Sequence, residues 1–168
     1  EAGVPFVRAR DHLDTIPGVG KQAAESILAE IGLDMSRFPT AGHLAKWAGV
    51  APGNNITGGK RKSGKTTKGD VWLVDILVQC AWSAARTRDT YLSAQFWRLA
   101  RRIGKKKAAV AVAHSILVAC WHMLRDNCDY QDLGGDYFTR RTNPDKRRDH
   151  LIEQLHALGY QVTLKAVA

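Results

Sequence analysis

Residues 15–32 read TIPGVGKQAAESILAEIG, and this stretch decides the fold. Ile16-Pro17-Gly18-Val19-Gly20 places one proline and two glycines within five residues, the composition of a tight turn. Directly after it Ala23, Ala24, Ile27, Leu28 and Ile31 recur at helical spacing, and Gly32 closes the run. Residues 7–15, in front of the turn, also carry a helical pattern. The opening unit is therefore helix, tight turn, helix.

Working outward, the pattern stays helical. A short helix is predicted over about 41–47, with Thr40 as N-cap. A polar loop rich in Gly, Asn, Lys and Thr follows over 51–69. Asp70 then caps a long helix with Trp72, Leu73, Ile76, Leu77, Cys80, Ala81 and Ala84 on one face. Another helix covers about 90–103, and Gly104 separates it from an apolar helix over 105–126. Asn143-Pro144 reads as N-cap and first helical residue of a last helix, which Gly159 closes. YQVTL at 160–164 alternates and reads as a short strand or an extended tail. The expected fold is mainly α, a helix-hairpin-helix motif followed by a basic loop and a bundle of long helices. Four regions result: 1–50, the opening helices; 51–69, a basic loop; 70–128, a helical core; 129–168, a C-terminal helix and tail.

The chain has 168 residues, 45% of them hydrophobic, enough for a real core and against disorder. Its first residue is Glu1 and not Met, so a fragment or a processed product is expected. A net charge of +9 and a pI near 9.7 call for a polyanionic partner, nucleic acid or an anionic membrane surface. Cys80, Cys120 and Cys128 show no C-x-x-C spacing, and their odd number fits a reducing, cytoplasmic setting. No His/Cys cluster has zinc spacing, so no metal ligand is assigned. The apolar run 108–124 contains His114, Ser115 and His122 and falls short of a membrane span, which favours a central buried helix and no membrane partner.

GGKRKSGKT at 58–66 fits, from Gly59, the G-x-x-x-x-G-K-[ST] loop of nucleotide hydrolases. The context rejects that reading. The preceding APGNNIT contains Pro and two Asn and does not make a buried strand. Gly69 interrupts the helix that should begin at Lys65. Lys60, Arg61, Lys62, Lys65 and Lys68 instead lie in a stretch free of acids from Gly53 to Gly69. Glycines and hydroxyls among these cations suit a loop whose amides approach a phosphate closely. A second cluster, Arg98, Arg101, Arg102, Lys105, Lys106 and Lys107, straddles a helix end. A third, Arg140, Arg141, Lys146, Arg147 and Arg148, precedes the last helix. Each of the two is read either as a phosphate-neutralising group or as a solvated face.

The turn points the same way. IPGVGKQAAESIL resembles a helix-hairpin-helix motif, in which the amides of Gly18, Val19 and Gly20 face a phosphate at a helix N-terminus and Lys21 adds a cation. In order, IPGVGKQAAESILAEIG, RFPTAGHLAKWAGVAPGNN, TGGKRKSGKTTKGD and WLVDILVQCAWSAAR resemble the C-terminal domain of the DEDD-type insertion-sequence transposases related to the Piv and MooV invertases. The resemblance runs from about Leu13 to Leu124 and continues more loosely through DLGGDYF and LHALGYQVTL. It implies a DNA transposase or recombinase with an N-terminal RuvC-like domain that holds divalent metal, such as magnesium, and is absent from this chain. It also implies a homo-oligomer and, in some members, a structured guide RNA. The resemblance further implies a nucleophilic serine in a Ser-Gly pair before the basic loop. Here the pair is Thr57-Gly58, so Thr57 ranks first as nucleophile and Ser63 second. Thr keeps the hydroxyl, but its β-branch restricts the rotamers. The expectation is that this chain alone binds DNA and does not recombine it. The alternative is a helix-hairpin-helix module that binds DNA without chemistry of its own.

Overall fold

The computed structural model describes residues 3–165 apart from 54, 58, 64 and 67, and for 3–4, 55–57 and 60–63 it describes the backbone alone. The opening unit is α1 (Gly3–Asp14), the tight turn, and α2 (Lys21–Ile31). Gly32 closes α2 at φ 73°, in the region open to glycine. A 3₁₀ turn, Met35–Arg37, which the periodicity did not reveal, leads to α3 (Ala41–Ala48). Then come two short strands, β1 (Asn55–Thr57) and β2 (Lys60–Ser63). The helical core follows as α4 (Val71–Arg86), α5 (Tyr91–Ile103) and α6 (Lys105–Asp126). A single turn, α7 (Tyr137–Arg140), and α8 (Pro144–Ala157) end the chain.

Four helices start where a short polar side chain can accept an orphan amide. Thr40 accepts from His43 N, Asp70 from Leu73 N, Thr90 from Ser93 N and Asn143 from Asp145 N. Such a cap stabilises its helix by about 1 kcal/mol. The core is one cluster. α6 lies at its centre and touches α1, α3, α4 and α5. Ala108, Val112 and Ile116 line one ridge of α6 and Ala109, Ala113 and Leu117 the next, all buried. Burial on two ridges explains why a core helix reads as almost a membrane span: α6 is long and apolar enough to cross one, yet half of its apolar window is packed inside. Trp121 fixes its far end to the approach to α3, donating Nε1–H to the Phe38 carbonyl at 3.0 Å. Phe96 of α5 packs beside Trp82 of α4, ring centroids 5.2 Å apart. Cys80 and Cys120 are buried, and burial pushes the Cys80 thiol up to about 11 and the Cys120 thiol higher still.

One expectation needs correction and one open alternative is decided. The stretch 51–69 is not simply a loop, because β1 and β2 pair antiparallel within it. Its charged, polar composition hides the strands, although Gly-Gly at 58–59 is a sequence that hairpin connections favour. Of the two readings of 160–164, the extended tail holds: no strand pairing is made there. α8 buries no side chain, and its Leu151, Leu155 and Leu158 are exposed.

Candidate nucleic-acid interface

The turn at 16–20 is held from inside. Ile16 and Val19 are buried, and the Val19 amide donates to the Ile16 carbonyl at 2.9 Å. Gly18 has φ 89°, and a Cβ placed there would lie 2.4 Å from Ala84 N and 2.6 Å from the Cys80 carbonyl oxygen, both backbone atoms of α4. Glycine at 18 thus lets the turn close against α4. The Val19 amide is engaged within the turn. What faces solvent is Gly20, with open space around it, and Lys21, both at the start of α2. α2 has no side-chain cap there, so its first amides point outward as an anion-attracting end.

The hairpin is held at its base. Pro52 bridges to Thr66, and the Gly53 amide donates to the Lys65 carbonyl at 3.0 Å. A Cβ on Gly69 would lie 2.3 Å from the Ala48 carbonyl and from Gly49 N, so the strand exit is pressed on the end of α3. Thr57 pairs with Lys60 at the turn end, next to Gly59 at φ 74°, while Ser63 pairs with Asn55 toward the base, beyond a bulge. The backbone therefore separates the two candidate hydroxyl residues along the hairpin. The side chains of Thr57, Lys60, Arg61, Lys62 and Ser63, and all of Gly58, lie outside the described residues. Lys65 and Lys68 are described and exposed.

These two surfaces are not adjacent. Gly18, just before α2, touches Cys80 and Ala84 near the end of α4, while Glu30 at the end of α2 meets Asp70 at the start of α4. The helices are antiparallel. The turn and the hairpin base stand at opposite ends of α4, about 20 Å apart at 1.5 Å per residue. Between them the exposed charged side chains of α2 and α4 are acids: Glu25, Glu30 and Asp75, with Asp70 half-buried beside them. The Asp70 carboxylate, through its charge first and then partial desolvation and a shared hydrogen bond, raises Glu30 above the usual carboxylate range.

The other two clusters differ. In the third, Arg140 pairs with Asp136 at 2.8 Å and Arg148 with Asp145 and Asp149, so part of it is neutralised within the chain. In the second, Arg98 lies over the Phe138 ring at 4.8 Å and Lys105 over Trp97 at 5.6 Å. Arg101, Arg102, Lys106 and Lys107 are exposed and make no ion pair among the described residues. No group of three or more His, Cys, Asp or Glu that could hold a metal ion occurs among the described residues.

Sequence reading missed one feature. His12 Nδ1 lies 2.6 Å from Asp129 Oδ1, and the same region frames a cleft of about 290 Å³ between α1 and the end of α6. The partners are 117 positions apart, a pairing no local pattern signals.

The model of the IS116/IS110/IS902 transposase family matches residues 10–98, more than half of the chain and all of the segment from the first turn through the hairpin to α5. The chain belongs to that family. Relatives within reach include a protein of Sinorhizobium fredii named as transposase y4pF/y4sB, 33% identical over 73% of this chain and 33% of that protein. The uncharacterized 43.6 kDa protein of insertion element IS110 from Streptomyces coelicolor is 32% identical over 71% of this chain and 29% of its own length. The pilin gene-inverting protein of Moraxella bovis is 48% identical over 46 residues, 27% of this chain and 14% of that protein. The chain spans about a third of the length of the longer-matching transposase relatives.

Proposed function

We propose that this chain is the DNA-binding, hydroxyl-supplying part of a cytoplasmic transposase, acting in strand cleavage and exchange. The observation that carries the reading is the position of Thr57: it pairs with Lys60 beside a two-glycine turn, inside the segment that matches the transposase family. In this reading the Thr57 hydroxyl is brought to a phosphodiester while the cations of the same segment, Lys60, Arg61, Lys62 and Lys65, offset the charge that builds on phosphorus. In the proposed step the Thr57 oxygen bonds to phosphorus, the phosphorus–oxygen bond to one deoxyribose breaks, and the hydroxyl proton passes to a base as the leaving alkoxide gains one. Gly20 and Lys21 hold the phosphate backbone without reading sequence.

The base and the divalent metal belong, in this reading, to a RuvC-like domain of the full-length protein, which assembles as a homo-oligomer and in some members takes a structured guide RNA. The isolated chain is then expected to bind DNA without cutting it. The test uses the full-length protein that contains this chain. Thr57→Val should abolish recombination while leaving DNA binding intact, and Thr57→Ser should keep or raise it. Full recombination by Thr57→Val would move the nucleophile to Ser63 or reduce the chain to a binding module. One observation favours that second reading, threonine where the family pattern implies serine.

A further inference from the structure

We infer that the corner between α5 and α6 is a second surface for the backbone of duplex DNA, separate from the hairpin and joined to the Gly18–Lys21 turn. The inference rests on the nucleic-acid reading above and adds residues to it. Residues 84–107 contain eight Lys or Arg and a single acid, Asp89. Three of the cations, Lys105, Lys106 and Lys107, form the first turn of α6, which has no acid there. A helix start carries partial positive charge, so three lysines in its first turn stand against the helix dipole. Packing on Trp97 accounts for Lys105 alone, whereas an approaching polyanion offsets the repulsion for all three.

The structure also fixes where this corner stands. Lys105 Nζ lies over the Trp97 ring at 5.6 Å, and Trp97 donates Nε1–H to the Ala85 carbonyl at 3.0 Å. Gly18 presses on the adjacent residue, Ala84. The end of α4 therefore carries the turn on one side and the basic corner on the other, with Arg86 and Arg88 exposed at its tip. Trp97 is 45% exposed, but its indole N–H is engaged, so it serves as a plate that places Lys105 rather than as a free stacking ring. The hairpin stands at the other end of α4, beyond Glu25, Glu30, Asp70 and Asp75. A phosphate chain gripped at the turn is drawn along Arg86, Arg88 and Arg101 toward Lys105–Lys107.

The test titrates the chain against a fluorescent duplex of about 30 base pairs over a range of salt. One variant carries Lys105→Gln, Lys106→Gln and Lys107→Gln; a second carries the same three positions as Arg; a third carries Lys60, Arg61, Lys62 and Lys65 each →Gln. The first should bind about tenfold or more weakly at moderate salt, with a log K against log[salt] slope shallower by about 2.7, since each of three phosphate contacts contributes about 0.9. Its Tm should stay or rise, because like charge leaves the start of α6. The arginine variant should bind as the parent does. Unchanged affinity and slope in the first variant, with weakened binding in the third, would overturn the corner and leave the nucleic-acid reading standing. Unchanged binding in both would overturn the two together. If the first variant loses affinity for phosphatidylserine vesicles and not for the duplex, the partner is a lipid surface and the inference is wrong.

Discussion

Replacing Gly18 with alanine separates two reasons for a glycine in this turn. If it is there to admit a phosphate, alanine weakens DNA binding and leaves the fold alone. The structure gives the other reason. A Cβ at 18 would lie 2.4 Å from Ala84 N and 2.8 Å from Ala84 Cα, against 3.4 Å or more in ordinary contact, so α4 or the turn must shift by about 1 Å. Overpacking of this kind costs about 1–3 kcal/mol. The φ of 89° adds about 1–2 kcal/mol for any residue with a Cβ. The sum, about 2–5 kcal/mol, is a large share of the roughly 5–15 kcal/mol that holds a domain folded. At about 2–4 °C per kcal/mol for a chain of this size, Tm should fall by roughly 4–20 °C. Gly20→Ala is the control: its surroundings are open and its φ is −87°, so it should shift Tm by no more than about 4 °C, the loss of a glycine N-cap being worth about 1 kcal/mol at most. The assay is a circular-dichroism melt of both variants beside the parent, with duplex binding corrected for the folded fraction. A Gly18→Ala protein that melts with the parent but binds DNA poorly would refute the packing argument.

Other outcomes follow from the same contacts. Gly69→Ala sets a Cβ 2.3 Å from the Ala48 carbonyl, so it should destabilise by about 1–3 kcal/mol and lower recombination by the full-length protein by displacing the hairpin base; an unchanged melt would disprove the close approach. Glu30→Gln should raise Tm at pH 7, because it removes one of two neighbouring carboxylates. The sign follows from Glu30 being held above its ordinary value of 4.5: its folded form favours the proton, so its contribution is most stabilising below the ordinary carboxylate range and is lost as pH rises through the elevated one. The gain from Gln should therefore vanish in acid, and a gain that persists at pH 3 would contradict it.

The helices were legible because their signals are local. Thr40, Asp70 and Asn143, read from the sequence as N-caps, each cap the helix they precede, and Thr90, read as the start of a helix, caps it too. Gly104 breaks 90–126 into two helices because its φ of 85° suits no other residue as well. Illegible were the features that depend on distant partners. Gly18 announces a turn from its neighbours, but that it faces α4 is set by Cys80 and Ala84, more than sixty positions on. The hairpin escaped because Lys60, Arg61 and Lys62 are poor strand formers, and tertiary support at Gly53 and Gly69 outweighs that propensity. The α7 turn was equally hidden: it is held by Tyr91 packing on Tyr137 and Phe138, a contact across more than forty residues.

The net charge of +9 acquires a physical meaning only through where the acids stand. Spread evenly, the surplus would give a weakly basic sphere and a diffuse attraction. Instead the tail cluster neutralises Arg140 and Arg148 against Asp136, Asp145 and Asp149, and the exposed charges of α2 and α4 between the two ends of α4 are carboxylates. Exposed cations stand at both of those ends, Lys65 and Lys68 in the hairpin on one side and Lys21, Arg86 and the α5–α6 corner on the other. Twenty ångströms is beyond two Debye lengths at about 0.15 M salt, so neither end feels the other's charge through solvent. Each must therefore attract phosphate by its own cations. Loss of the α5–α6 cations cannot be made good by those of the hairpin, which is why the two variant sets above should act on binding independently and additively.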